Sequence, residues 1–146
     1  MSKDSLFHLL IKVCRAHYKS THQQLEKIGL YRGQPPLLHL LWKREGRTQK
    51  NLSEELNIKP ATIAKMVRRM EKEGFIEKKT DSEDRRLSRI FLTAKGRNIK
   101  KKVKEIEEEI NSICLKNFTA GEEEQFKTYL RKMAGNLEND LKNEAD

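Results

Sequence analysis

Apolar and weakly polar positions in the first 28 residues recur at three- and four-residue steps: Leu6, Leu9, Leu10, Val13, His17, Leu25 and Ile28. That spacing predicts a helix over residues 5–28, stopped by Gly29. Gly33 and the Pro35-Pro36 pair then break the pattern, either proline suiting a first helical turn, and "LLHLLWKRE" reads as a short buried helix ending at Gly46. Thr48 offers an N-cap to the next helix, "QKNLSEELN", with Leu52 and Leu56 inward. Pro60 opens another, running to about Glu73, with Ile63, Met66, Val67 and Met70 as its apolar stripe and Gly74 as terminator. "FIEKKT" and "LSRIFLT" read as two strands, and the tip between them gathers Asp81, Glu83, Asp84, Arg85, Arg86 and Arg89. Thr93 caps a long helix expected over 94–117, in which Ile99, Val103, Ile106, Ile110 and Ile113 form a heptad seam, narrower than an ordinary amphipathic face. Thr119 and Glu122 have capping-box spacing, and the final helix aligns Phe126, Leu130, Met133, Leu137 and Leu141.

The fold class this predicts is mainly α with a small β hairpin. Short helix, turn, helix and hairpin in that order make a winged helix-turn-helix. The chain has 146 residues, the size of one domain, and 36% hydrophobic against 36% charged residues is lean for a self-sufficient core. Charge sharpens the picture because it is segregated. Residues 1–46 carry a net +5, residues 47–104 a net +10 and residues 105–146 a net −6, within an overall +9. A basic field confined to the middle favours a polyanion, nucleic acid before membrane. No run approaches the roughly 20 apolar residues of a membrane span, and no signal peptide is expected, so no membrane partner is predicted. Cys14 and Cys114 are too few and too far apart for a disulfide framework, and two free thiols fit a reducing, cytoplasmic setting.

The helix opened by Pro60 carries the functional argument. With Ile63, Val67 and Met70 inward, the opposite face holds Ala61, Lys65, Arg68 and Lys72, flanked by Thr62 and Ala64, and Arg69 beside Arg68 is counted with them. Small residues at the start let a backbone approach base edges in a major groove, and Thr and Lys reach hydrogen-bonding atoms there. The same residues would also serve as an ordinary solvated face. At the hairpin tip, Asp84 lies two residues before Arg86 and can hold its direction, as an arginine entering a narrow minor groove requires. Arg85 and Arg89 are expected on flanking phosphates.

Three stretches, "GRTQKNLSE", "TIAKMVRRMEKEGFIEK" and "DSEDRRLSRIFLTAKG", together resemble the MarR family of transcription regulators over nearly the whole chain. The most specific part is the wing pattern D-x-x-D-R-R-x5-L-T-x-x-G. The resemblance implies one MarR-type domain over 1–146, with dimerisation helices in 1–33 and 94–146 around a winged-helix lobe in 34–93. It implies a homodimer on a palindromic operator in double-stranded DNA, and a repressor's role. It places Asp84 and Arg86 at the braced wing arginine, Ala61, Thr62, Ala64 and Lys65 on the recognition helix, and Thr48, Gln49 and Ser53 near backbone phosphates. Leu6, Leu9, Val13, Ile106, Ile110, Ile113, Phe126, Leu130 and Leu137 are the expected dimer interface.

The resemblance also implies a small phenolic or other anionic aromatic ligand that relieves repression. Arg15 and His17 match the cleft position on the first helix, and Lys12, His39 and Trp42 are candidates to line it. Arg15 and His17 serve equally well as interface residues. Peroxide sensors of the family use a thiol where this chain has Phe7, and Cys14 and Cys114 fall in apolar stripes, as structural thiols do. A redox response through Cys14 remains the thiol alternative. All four histidines precede position 40, so no metal or other cofactor is expected. No catalytic motif is present and no enzyme is predicted. The competing class is a sequence-independent, architectural DNA-binding protein.

Overall fold

The computed structural model describes residues 2–145. Among the described residues, helices and strands follow one another as α1 (Leu6–Glu26), α2 (Gln34–Lys43), β1 (Arg47–Thr48), α3 (Gln49–Leu56), α4 (Pro60–Lys72), β2 (Ile76–Thr80), β3 (Ser88–Leu92), α5 (Ala94–Asn98), α6 (Lys100–Cys114) and α7 (Ala120–Ala145). The helix boundaries follow local chemistry. The Ser5 hydroxyl accepts from His8 N at 3.2 Å to start α1, and Gly29 leaves the helix with φ +80°. Thr48 caps α3 through Asn51 N at 3.1 Å, Asn57 ends it in the left-handed region, and Pro60 occupies the first turn of α4.

The sheet differs from the expected two-stranded hairpin. It has three antiparallel strands in the order β1-β3-β2, with Arg47 opposite Ile90, Thr48 opposite Arg89 and Lys79 opposite Arg89 on the other side. Two residues are too short for β1 to show any alternation in the sequence. The long helix expected from 94 is also interrupted, at Ile99, though Ile99 N still reaches Lys95 O and Val103 N reaches Ile99 O, so the axis continues.

Two compact units emerge, Met1–Ile110 and Asn111–Asp146. In the first, α2 contributes Leu37, Leu38 and Leu41, α3 Leu52, α4 Ile63, Val67 and Met70, the sheet region Phe75, Ile76, Ile90 and Leu92, and α6 Val103, Ile106 and Ile110 to a single apolar core. The expected boundary at 93/94 therefore lies inside this unit, because α5 and most of α6 close the core. Gly96 permits that closure: a Cβ there would sit 2.1 Å from Phe75 O. Arg47 is buried and ties the end of α2 to α3, donating from Nε to Leu40 O and Arg44 O and from a terminal nitrogen to Asn51 Oδ1.

The second unit holds α7, started by the expected capping box: Glu122 N donates to Thr119 Oγ1 and Thr119 N to Glu122 Oε1. Phe118 and Phe126 stack obliquely with centroids 5.8 Å apart, and no described residue of α7 is buried.

Candidate nucleic-acid interface

Helix α4 rotates three side chains, Ile63, Val67 and Met70, completely out of solvent. The turn of 100° per residue therefore exposes the opposite face, and Ala61, Thr62, Lys65, Arg68 and Lys72 all lie on it, with Ala64 half-buried at its edge. Its N-terminal amides and partial positive charge lie at the same end as its smallest exposed side chains, Ala61 and Thr62, an arrangement suited to an anion or an exposed base edge.

Arg69 departs from expectation. Its Nε donates to Glu73 Oε1 at 2.9 Å, one helical turn on, and its guanidinium lies 3.4 Å from the centroid of the Tyr31 ring. These two contacts occupy its Nε and one face of its guanidinium, whereas Lys65 and Arg68 on the same side of the helix make no such contact among the described residues. Ser53 is likewise corrected: it is buried, and its hydroxyl donates to Ile58 O to close the turn after α3. Thr48 and Gln49 stay half-exposed at the start of α3, where Thr48 spends an acceptor on its cap and retains its hydroxyl proton for donation.

The wing tip is built from two aspartates. Asp81 accepts backbone hydrogen bonds from Glu83 N at 2.8 Å and Asp84 N at 2.9 Å through one oxygen, and Arg89 Nε donates to the other. The Arg89 contact foremost, then the two amides, lowers its carboxyl to a pKa of about 2. Asp84 accepts from Arg86 N and Nε through Oδ1 and from a terminal guanidinium nitrogen through Oδ2, at 3.0, 3.1 and 3.2 Å. That fork lowers the Asp84 carboxyl below its ordinary value. Arg86 nevertheless remains 91% exposed, so its direction is fixed while its outer edge stays free. Arg85 is exposed beside it. Arg89 is corrected: besides Asp81 it donates to Gly46 O at 2.9 Å, bracing the wing against β1 instead of projecting toward a phosphate. Arg47 is a structural residue that spacing alone did not single out, and Asp81, named only as part of the charged tip, is the brace of that tip. The signal for Asp81 was its Asx-turn position two and three residues before Glu83 and Asp84.

The ligand candidates are dispersed. Lys12, Arg15 and His17 are exposed along α1. His39 Nε2 meets Glu107 Oε1 at 2.5 Å, and its ring stands edge-on to Trp42 at 5.0 Å. Trp42 donates its indole N–H to Gly96 O at 2.9 Å. His39 Nε2 and the Trp42 indole N–H are thus engaged across α2, α5 and α6, which leaves the other His39 ring nitrogen and the Trp42 ring face for any ligand. A cavity of about 320 Å³ beside Trp42 is lined by Leu41, Lys43, Arg44, Glu45, Leu92, Arg97 and Lys100, and by none of the other four candidates. Both cysteines are exposed in the single chain, which does not support their reading as structural thiols.

The expected dimer residues divide. Leu6, Leu9, Val13, Ile113, Phe126, Leu130 and Leu137 are all exposed, whereas Ile106 and Ile110 are buried in the core of their own chain. The latter two are corrected from interface to core.

Comparison with known proteins follows the same lines. The sequence model described as "MarR family" matches residues 24–88. The organic hydroperoxide resistance transcriptional regulator of Bacillus subtilis (strain 168) is 34% identical over 104 residues, 71% of this chain and 71% of that protein. The crystal structure of MarR superposes with a TM-score of 0.80 at 28% identity, covering 95% of each chain. The S. aureus MepR–DNA complex shares the fold at 22% identity and a TM-score of 0.80, covering 94% of this chain and 99% of that one.

Proposed function

The chain belongs to the MarR family of winged-helix, DNA-binding transcription regulators, and from that premise we propose that it is a homodimeric repressor specific for a palindromic operator. The observation that carries the reading is Arg86: a cation held by both oxygens of Asp84 and still 91% exposed at the tip of the wing. Prior ordering by Asp84 reduces the side-chain entropy lost on entering a narrow minor groove. Ala61, Thr62, Ala64, Lys65 and Arg68 on α4 read the adjacent major groove, with Thr48, Gln49 and Arg85 on backbone phosphates. A second copy covers the exposed apolar residues of α1 and α7 and sets two α4 helices at half-sites roughly one helical turn apart. The protein works in the cytoplasm, where free thiols persist.

Relief of repression by a small anionic aromatic rests on the cations Lys12 and Arg15, with His17, on the exposed side of α1. A second reading, release by oxidation, is favoured by the exposure of Cys14. Salicylate releasing DNA from the protein but not from Arg15→Ala supports the first; peroxide releasing it from the protein but not from Cys14→Ser supports the second.

The central test is a binding titration on the fragment upstream of the protein's own coding region and on scrambled DNA of equal composition. Arg86→Ala is expected to bind that fragment about tenfold to a hundredfold more weakly, the cost of losing a well-placed contact of about 1–3 kcal/mol, while the dimer persists in sedimentation. Unchanged affinity would remove the wing from the interface. Equal binding of the unmodified protein to both DNAs, falling steeply with salt, would favour an architectural protein.

A further inference from the structure

The connector between α1 and α2, residues 27–33, has no part in the DNA contacts described above. It is nevertheless joined to α4 by a closed ring of contacts. The Arg69 guanidinium covers the Tyr31 ring at 3.4 Å. Arg69 Nε donates to Glu73 Oε1 at 2.9 Å. Glu73 Oε2 accepts from Gln34 Nε2 at 3.4 Å. Gln34, 2% exposed, accepts at Oε1 from Tyr31 N at 2.9 Å and so returns the ring to its start. A second stack extends it, with the Arg32 guanidinium 3.6 Å from the Tyr18 ring of α1.

What this ring can do follows from what the apolar packing of α4 cannot do, and it adds to one other directional tie of the helix, Lys78 N of β2 donating to Glu71 Oε2 at 3.2 Å. Ile63, Val67 and Met70 attach α4 to the core by apolar contact, which is strong but non-directional. Apolar packing tolerates a few degrees of rotation about the helix axis. Reading base edges does not, because a hydrogen bond weakens steeply as its angle opens. The Tyr31–Arg69–Glu73–Gln34 ring is directional at every link. It also acts on the row of side chains that matters, since Lys65, Arg69 and Glu73 succeed one another at four-residue steps.

We propose that Tyr31 is a positioning residue for sequence readout: through Arg69 and Glu73 it fixes the rotation of α4, and with it where Lys65 meets the bases. The inference rests on the reading of α4 as the recognition helix. It makes the connector a third component of DNA reading beside the helix and the wing, and it gives α1 a mechanical path to α4 through Tyr18 and Arg32.

The experiment selects bound duplexes from a random-sequence library with the full-length protein and with Tyr31→Ala, Tyr31→Phe and Lys65→Ala, and then titrates each protein on the recovered motif, on single-base variants and on scrambled DNA. Tyr31→Ala is expected to lose about fivefold to tenfold of its discrimination between motif and variants, as loss of one cation–ring stack would, with unchanged affinity for scrambled DNA and an unchanged melting temperature. Tyr31→Phe keeps the ring face and is expected to discriminate like the unmodified protein. Intact discrimination in Tyr31→Ala, an equal loss on motif and scrambled DNA, or failure of Tyr31→Phe to rescue overturns the proposal. Lys65→Ala separates the two levels. If it alters the motif and Tyr31→Ala does not, only the positioning role falls. If the unmodified protein recovers no motif, or Lys65→Ala leaves the motif untouched, the reading of α4 falls and the positioning role with it.

Discussion

Helices α4 and α7 both carry a regular apolar stripe, yet the two stripes end in opposite surroundings. Ile63, Val67 and Met70 of α4 have no solvent exposure, covered by α2, α3 and the sheet region. No described residue of α7 is buried, and Leu137 and Leu141 stand 57% and 58% exposed. Amphipathic periodicity reports that a face needs covering and does not say by what. For α4 the cover is the chain's own core. For α7 the proposed cover is a second copy, and exposed apolar positions of this density are what an obligate interface presents when one partner is viewed alone.

The sharpest way to break that contrast is to place the same charge on each side of it. Ile106→Asp puts an unpaired carboxylate among Val103, Ile110 and the core leucines, and is expected to cost about 4 kcal/mol or more, enough to abolish cooperative melting. Leu137→Asp lies on the exposed stripe and is expected to leave the first unit's fold intact while converting dimer to monomer in sedimentation. A folded, monomeric Ile106→Asp would reinstate α6 as the interface that its heptad spacing suggested. A dimeric Leu137→Asp would take α7 out of the dimer.

Gly96→Ala ranks next. Its new Cβ would fall 2.1 Å from Phe75 O, a backbone atom with little freedom to withdraw, while Gly96 O holds the indole of Trp42. The expected loss is about 2–3 kcal/mol in thermal melting, with a shift in the emission of the chain's only tryptophan. A neutral result would mean that α5 does not close on the sheet as tightly as α4 closes on α3. Gly135→Ala, where nothing lies within 4 Å of the added Cβ, supplies the matching change in α7 and is expected to be neutral or slightly stabilising.

What was legible in the sequence was local. The caps at Thr48, Thr93 and the Thr119–Glu122 pair, and the stops at Gly29 and Gly74, were all readable because a cap depends on residues within four positions of itself. So was the Asp84–Arg86 fork, with its partners two residues apart. What failed required knowledge of a distant surface. The 4-3-4-3 seam of α6 was read as an interface because a heptad pattern does not identify the helix or core it meets. His39 Nε2 and the Trp42 indole N–H looked available until α5 and α6 brought Glu107 and Gly96 against them, 68 and 54 residues away. Arg89 looked like Arg85 and Arg86 until β3 register set it against Asp81 and the Gly46 carbonyl.

Arg89 can be tested on its own through the carboxyl it holds. The folded-state pKa of Asp81 is lowered from 3.8 to about 2, chiefly by Arg89, so its contribution to wing order is fully present above 3.8 and is lost only as pH falls toward about 2. The wing tip should therefore stay braced through mild acid. The carboxyl carbon of Asp81, followed by NMR, is expected to titrate near 2, and the amide signals of Glu83 and Asp84, whose hydrogen bonds end on the same carboxylate, should shift in that window. A midpoint at 3.8 or above would mean that Arg89 leaves Asp81 in solution. It would then be free to join Arg85 on a phosphate, the role its spacing suggested, and the distinction between a braced arginine that enters DNA and one that only supports the wing would disappear.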